Sequence, residues 1–423
     1  MNFFCKISKF NCFRPFNVYF CIKNRKMNIG ILREEKVPAD RRVPFSPIQC
    51  KQIVAEFPEH KIFVQSSSIR CFTDQEYIEQ GISVVNNLDS CDILFGIKEV
   101  PKEKLIANKT YLFFSHTIKK QDYNRELLKE MINLNIKMID YEVLKNDDGI
   151  RILGFGRYAG IIGAYNGLLT YGLKKQLYTL KPAYKCHNRK EMDNELNKIK
   201  LTNEKILVTG KGRVGSGIFE TIKKLNIKEV NIDDYLNKKF SEPVYLNIDV
   251  MDYNERIDGG KADFNDFVNN PSHYKSSFMK YVKKTDIFIA GHYYGSGAPF
   301  LFTRNDVKSS DFNISVIADV SCDIDGPVAT TIKPSSITNP IYGYNPITEN
   351  EDDYMNDGII AVMAVDNLPC ELPKDSSEDF GEHLIKFIIP IINIENQVLE
   401  GATICKNGDL TENYEYLRDY VNS

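Results

Sequence analysis

The chain has 423 residues, of which 43% are apolar and 26% charged, with a formal net charge of −3. That length exceeds one ordinary core and suits two domains of about 150 to 200 residues each. The near-neutral balance gives no electrostatic reason to expect nucleic acid or an anionic membrane as partner, so a small-molecule substrate is the starting expectation.

The first 26 residues carry Lys6, Lys9, Arg14, Lys23, Arg25 and Lys26 and no acid. They read either as an organelle transit peptide or as a translated extension ahead of a start at Met27, and in both cases as outside the fold. From Met27 onward, short apolar runs alternate with amphipathic stretches, the pattern of parallel α/β layers. Strands are expected at 28–32, 61–65, 93–97, 110–114 and 137–140, and helices at 47–57, 74–80 and 122–133. Residues 155–177 are apolar on nearly every face and predict a buried helix between the domains. Their apolar core, 159–173, is broken by Gly160, Gly163, Asn166, Gly167 and Thr170 and is too short to span a bilayer.

The pattern restarts at 205–210, with further strands expected at 229–233, 287–290 and 315–320. The apolar run 357–365 leads into a helical stretch at 376–389, which reads as a return to the first domain. The fold class is therefore α/β: two Rossmann-like domains flanking a cleft, the second a doubly wound dinucleotide-binding domain. Residues 27–160 plus 355–423 would form the substrate and catalytic domain, and 161–354 the nucleotide domain. Hinges are expected near 155–163 and 356–358. Ten cysteines are scattered with no Cys-x-x-Cys pair, and no histidines cluster at metal-ligand spacing. They read as reduced thiols in a cytoplasmic protein, with no metal site.

The sharpest local signal is Val208-Thr-Gly210-Lys-Gly212-Arg213-Val214-Gly215-Ser-Gly217, between an expected strand and an expected helix. Gly210 permits a tight turn, Gly212 lets backbone approach a pyrophosphate, and Gly215 allows helix to pack on strand. The helix start then offers free N–H groups to the phosphates. Asp233, ending the next expected strand, would accept from an adenosine ribose and repel a 2′-phosphate, favouring NAD with NADP as the alternative.

Lys98 and His116 each end an expected strand of the first domain. Neighbouring parallel strands would bring both to the edge where open α/β sheets bind ligands. Arg42, just before the first helix, has the fork shape that suits a substrate carboxylate, although a surface arginine reads equally well there.

With these residues in view, the chain resembles a known family. It joins alanine dehydrogenase, lysine-forming saccharopine dehydrogenase and the lysine:2-oxoglutarate reductase half of the bifunctional lysine-degrading enzyme, and the likeness is greatest to the reductase half. The matching stretches include Ile31-Leu-Arg-Glu-Glu35, Arg42-Val-Pro-Phe-Ser-Pro47 and Gly96-Ile-Lys98-Glu-Val-Pro101. They continue through Tyr111-Leu-Phe-Phe-Ser-His116-Thr-Ile-Lys119-Lys-Gln121, Asp140-Tyr-Glu142, Phe155-Gly-Arg-Tyr-Ala-Gly160, Ala318-Asp319-Val-Ser-Cys-Asp323 and Asp366-Asn367-Leu368-Pro-Cys-Glu-Leu-Pro373.

The resemblance implies Lys98 and His116 as the proton-transfer pair, and Arg42, Lys119, Gln121 and Phe155 as substrate contacts. It implies Glu142 as a carboxylate tuning the lysine. For the cofactor it implies Gly210, Gly212, Arg213, Val214 and Gly215 at the phosphates, Asp233 at the ribose, Arg151 and Asp319 as further contacts, and Val365, Asp366, Asn367 and Leu368 closing over the nicotinamide. The activity it implies is pyridine-nucleotide-dependent chemistry on the CH–NH bond of an amino acid, with lysine and 2-oxoglutarate, or saccharopine, as substrates. The saccharopine-oxidising half has no counterpart, so only the first step is implied. Alanine dehydrogenase-type deamination and a non-catalytic nucleotide-sensing homologue are the alternatives. A monomer or small homo-oligomer is expected.

Overall fold

The computed structural model describes residues 26–423 apart from Pro38, so the expectations for the basic leader fall almost wholly outside the described residues. The first sheet starts with four parallel strands: β1 (Asn28–Ile31), β2 (Lys61–Gln65), β3 (Ser83–Val85) and β4 (Ile93–Phe95). Strands β5 (Thr110–Phe113) and β6 (Lys137–Asp140) extend it beyond β4, again in parallel. Because β2 lies on one side of β1 and β4 on the other, the chain reverses its winding between β1 and β4. The carboxyl edge at such a reversal is where open α/β sheets leave a crevice. Two apolar layers cover this sheet. One contains Phe45, Phe95, Tyr141 and Phe380, the other Tyr111, Phe113, Leu128 and Tyr414. Burial on both faces explains why the strands read as continuous apolar runs.

The second sheet contains β7 (Lys205–Thr209), β8 (Lys228–Glu229) and β9 (Val244–Ile248), with a small separate hairpin of β10 (Asn254–Arg256) and β11 (Tyr274–Ser276). It continues through β12 (Ile287–Ala290), β13 (Val316–Asp319), β14 (Ile341–Tyr344), β15 (Glu351–Asp352) and β16 (Ile360–Met363). Its order is β15-β14-β16-β13-β12-β7-β9-β8. The helix Gly156–Lys174 packs on the helix Arg213–Ile222 at a separation only glycine allows. A Cβ on Gly160 would lie 1.9 Å from the Val214 carbonyl oxygen, and one on Gly217 1.9 Å from that of Arg157.

Two expectations need correction here. The run at 357–365 does not begin the return to the first domain: β16 pairs parallel with β13 and antiparallel with β14, inside the second sheet. The chain crosses back only after Met363, through the short helical turn Leu368–Glu371 into the helix Pro373–Phe387, which places Phe380 and Leu384 in the first core. The hinge expected near 356–358 therefore lies inside the second domain, before β16. After that helix, β17 (Thr403–Lys406) pairs antiparallel with β6, and β18 (Asp409–Leu410) pairs with β17. The second correction concerns 229–233: β8 is only two residues long, and Ile232–Asn237 is a helix capped by Asn231.

Among the described residues, no cluster of three or more His, Cys, Asp or Glu could hold a metal, and no helix is long and apolar enough to cross a membrane. The seven described cysteines are all free thiols.

Candidate active site

Three loops at the carboxyl edge of the first sheet converge on a cleft of about 240 Å³. Arg42 follows β1, Lys98 follows β4 and His116 follows β5. Phe114, Arg151, Phe155, Gly156 and Ala159 line the cleft with them, and Asp366, Asn367 and Pro369 from the second crossing complete it. Both interdomain crossings thus contribute wall residues.

Lys98 is partly buried, and burial, Arg42 and Lys36 together press its amine pKa below the usual lysine range, while Asp40 and Glu99 pull it back up. A lowered amine pKa brings the group closer to the proton-transfer range that acid–base catalysis uses. His116 Nδ1 lies 2.6 Å from Glu99 Oε1, and Glu99 Oε2 accepts from Lys36 at 2.9 Å. Burial would push the Glu99 carboxyl up, but the His116 and Lys36 contacts outweigh it and hold it down at about 2. A fixed carboxylate at Nδ1 makes that nitrogen the donor and leaves Nε2 for proton exchange.

The His116 backbone is left-handed, with φ of 54°, and is pinned from behind. Ser115 N donates to Asp140 Oδ2 at 3.1 Å, the Ser115 hydroxyl donates to the same oxygen, and Ser115 Oγ lies 2.8 Å from Thr117 Oγ1. Asp140 also accepts from Glu142 N at 2.7 Å.

Arg42 is 3% exposed, and its Nε and one Nη donate to Asp40 at 3.0 and 2.5 Å while its plane lies 4.1 Å over the Phe155 ring. Phe155 in turn stacks on Phe380 at 4.6 Å. Burial works against the Asp40 anion, but Arg42 prevails and holds the carboxyl at about 2. Two of the five guanidinium N–H donors are used in that pair, and the remaining three suit a carboxylate in the cleft.

Other expected contacts fall elsewhere. Lys119 pairs with Glu142 at 3.0 Å. Glu142 is therefore engaged with Lys119, and the acids that act on Lys98 are Asp40 and Glu99. Gln121 is exposed and bonded to the Tyr123 hydroxyl, away from the cleft wall. Val365 and Leu368 are each 1% exposed and belong to the second core, leaving Asp366 and Asn367 as the accessible part of that segment. Asp319 is fully buried, its Oδ1 accepting from Ser321 N, the Ser321 hydroxyl and Cys322 N and its Oδ2 from the Thr331 hydroxyl, so it braces its own loop. Arg213 reaches back across the domains and donates to the carbonyls of Arg151 and Ile152, tying the glycine turn to the catalytic domain.

The turn after β7 suits a dinucleotide. Gly210 has φ of +96°, and a Cβ there would meet the Gly291 carbonyl oxygen at 2.4 Å. At Gly212 a Cβ would meet nothing within 4 Å, so the space in front of it is open. Gly212 also caps the helix Arg213–Ile222 without a side-chain acceptor, leaving the first N–H groups for an anion.

The ribose acid expected at Asp233 is corrected by topology. Strand β8 pairs only with the base of β9, Lys228 opposite Val244 and Glu229 opposite Tyr245, and Asp233 sits in the following helix, bonded to Asn237. The strand beside β7 is β9, with Thr209 opposite Ile248. Gly210 N donates to the Ile248 carbonyl at 3.0 Å, so Asp249 is the acid at the tip next to the glycine turn. Asp252 follows, its carboxylate accepting from Asp249 N at 2.7 Å. The run 244–248, apolar and ended by an acid, was the available signal for Asp249. For Glu99 the signal was its place directly after Lys98.

Two Rossmann-like sheets facing one cleft, one of them bearing a nucleotide-type glycine turn, define the class of two-domain α/β proteins that work at a domain interface. The family models for the alanine dehydrogenase/PNT N-terminal domain and C-terminal domain match residues 30–162 and 188–413. The chain belongs to the alanine dehydrogenase/PNT family.

The alpha-aminoadipic semialdehyde synthases of Mus musculus (mitochondrial) and Arabidopsis thaliana are each 28% identical to this chain. They cover 92% of it but only 47% and 41% of their own lengths, so the chain spans about half the length of these relatives. The NAD(+), L-lysine-forming saccharopine dehydrogenase of Yarrowia lipolytica is 25% identical over 85% of this chain and 91% of its own. Among solved structures, an L-alanine dehydrogenase aligns with a TM-score of 0.62 at 17% identity, covering 93% of this chain and all of its own. A transhydrogenase from Sinorhizobium meliloti aligns with a TM-score of 0.54 at 13% identity, covering 91% of this chain and 98% of its own. These share the fold.

Proposed function

We propose that this chain catalyses a pyridine-nucleotide-linked reaction on the CH–NH bond of an amino acid, of the saccharopine dehydrogenase (L-lysine-forming) or lysine:2-oxoglutarate reductase type, with NAD as cofactor. The observation that carries this reading is the convergence of Lys98, His116 and Arg42 on one cleft walled by both interdomain crossings.

In the synthetic direction the ε-amine of lysine adds to the ketone of 2-oxoglutarate, water leaves, and the resulting imine is reduced to the secondary amine of saccharopine. The nicotinamide, when bound, supplies the hydride. Lys98, with its amine depressed by burial and neighbouring cations, takes and returns the protons of the addition and dehydration. His116, oriented by Glu99, delivers a proton to the nitrogen as the imine is reduced. The remaining N–H groups of Arg42 hold a substrate carboxylate, and the Phe155–Phe380 stack fixes the plane from which they act. Closure of one domain on the other would exclude water before the reduction.

The test is oxidation of NADH with lysine plus 2-oxoglutarate, set against pyruvate plus ammonium, in wild type and in Lys98→Met and His116→Gln. Turnover with the first pair, falling on the order of 10²–10⁴-fold in each variant, is the expected result. Near-wild-type turnover in both variants overturns the roles. Turnover only with pyruvate and ammonium assigns the alanine-type reaction, and none with any pair assigns nucleotide sensing. The mouse relative is mitochondrial by name; for this chain cytoplasmic residence is the proposal.

A further inference from the structure

Against the backbone of Lys98 lies a carboxylate that none of the steps above uses. Glu34 follows β1 and is 6% exposed. Its two oxygens accept from successive backbone N–H groups at the tip of β4, Ile97 at 2.7 Å and Lys98 at 2.8 Å. Gly96 lies beside this approach, where a Cβ would sit 3.5 Å from Glu34 Oε1, within ordinary contact. Asp40 and Arg42 face the carboxyl from its own loop, Tyr141 from the turn after β6, and Cys370 from the second crossing through its contact with Asp40. Burial, and after it the repulsion of Asp40, push the carboxyl up to about 8 against the pull of the two N–H bonds and Arg42. An acid held at such a cost inside the catalytic domain calls for a function that an apolar side chain could not supply.

We propose that Glu34 is a positioning residue for Lys98: by gripping the N–H groups of Ile97 and Lys98 together, it sets the direction in which the amine leaves the strand tip toward the cleft. Neither oxygen enters the reaction. The grip needs two acceptors at one spacing, which a glutamate offers and a glutamine does not, because its amide NH₂ would face one of the donors. This inference rests on the reading of Lys98 as a proton-transfer group, and its test separates the two.

Glu34→Gln keeps the side chain's size, and Glu34→Asp keeps the carboxyl group but falls one methylene short. In Glu34→Gln, kcat with lysine and 2-oxoglutarate should fall about tenfold to a hundredfold, with KM for NADH and for the keto acid within about threefold of wild type. Glu34→Asp should fall between the two. In a Lys98→Met background the same Glu34→Gln change should add less than about twofold, because the lost grip then has no amine to misdirect. Amide hydrogen exchange at Ile97 and Lys98, read with NADH bound and no substrate present, should quicken by about tenfold or more, with the rest of the first sheet unchanged. A full additional loss in the Lys98→Met background, or unaltered exchange at those two amides, overturns the proposal. If no amine and keto acid pair turns over in wild type, the functional reading fails and the exchange measurement decides the grip alone. If Glu34→Gln loses NADH binding, Glu34→Asp carries the same measurements.

Discussion

Replacing Asp249 with serine should change which dinucleotide the protein prefers, and the size of the change can be worked from the geometry. Asp249 stands at the tip of β9, one residue beyond the carbonyl that binds Gly210 N, and Asp252 stands beside it. A ribose whose pyrophosphate rests on the Gly212 turn presents its 2′ position to this tip. A 2′-phosphate carries a charge of about −1.5 to −2. Against one carboxylate at ~5 Å, each unit of that charge costs roughly 1–3 kcal/mol at a partly exposed site. Both acids are partly exposed, so the lower end applies. Wild type should then bind NADH at least about thirtyfold tighter than NADPH, and Asp249→Ser should close that gap by about tenfold, where 1.4 kcal/mol is one factor of ten. The change should also weaken NADH itself, through loss of a charged hydrogen bond worth about 1.5–3 kcal/mol. Nucleotide fluorescence titrations of wild type, Asp249→Ser and Asp233→Ser, each with both nucleotides, give the answer without turnover. The reasoning is refuted if Asp233→Ser shifts the ratio and Asp249→Ser leaves it alone.

Three further outcomes are expected. Glu371, on the turn Leu368–Glu371, is 3% exposed, and burial pushes its carboxyl up to about 8 while Asn166 Nδ2 donates to it at 2.7 Å. The folded state therefore holds a proton that the unfolded chain releases above about pH 4.5. Stability contributed by this group is present below that pH and is lost as pH rises through about 8. Urea unfolding should show Glu371→Gln flattening that decline, by a few kcal/mol at most across the window; an unchanged slope would count against it. Asp140→Asn turns one of two acceptor oxygens into a donor, facing either the Ser115 N–H and hydroxyl or the Glu142 N–H, and should cost about 1–3 kcal/mol in thermal unfolding and lower kcat more than NADH affinity, by loosening the His116 turn. Gly217→Ala forces a Cβ to within 1.9 Å of the Arg157 carbonyl oxygen, so the two helices must separate. It should cost about 1–3 kcal/mol or more in urea unfolding, and a wild-type midpoint would show that the helices can part freely.

What could be read from the chain alone was what local periodicity and local chemistry carry. The strands at 61–65, 137–140 and 287–290 agree with the structure to the residue: 287–290 is an apolar run buried throughout, 137–140 is buried from Met138 on, and 61–65 alternates between buried Ile62 and Val64 and more open Lys61, Phe63 and Gln65. The glycine turn was legible because Gly210 must adopt a backbone conformation that other residues resist. The catalytic candidates were legible because strand tips of a parallel sheet share one edge.

Which strands are neighbours was decided by tertiary structure alone. The acid after β8 seemed to be the ribose residue because β8 comes next in the sequence, yet the sheet inserts β9 beside β7, and hydrogen-bonded adjacency there joins residues 39 positions apart (Thr209 with Ile248). The same holds for Glu34, 64 positions from the Lys98 N–H it binds, and for the late return of the chain after β16. Periodicity reports which face of a segment is buried, but not against what. Partner choice comes from packing summed over the whole sheet, and the placement of Asp249, Glu34 and Arg213 follows from that sum.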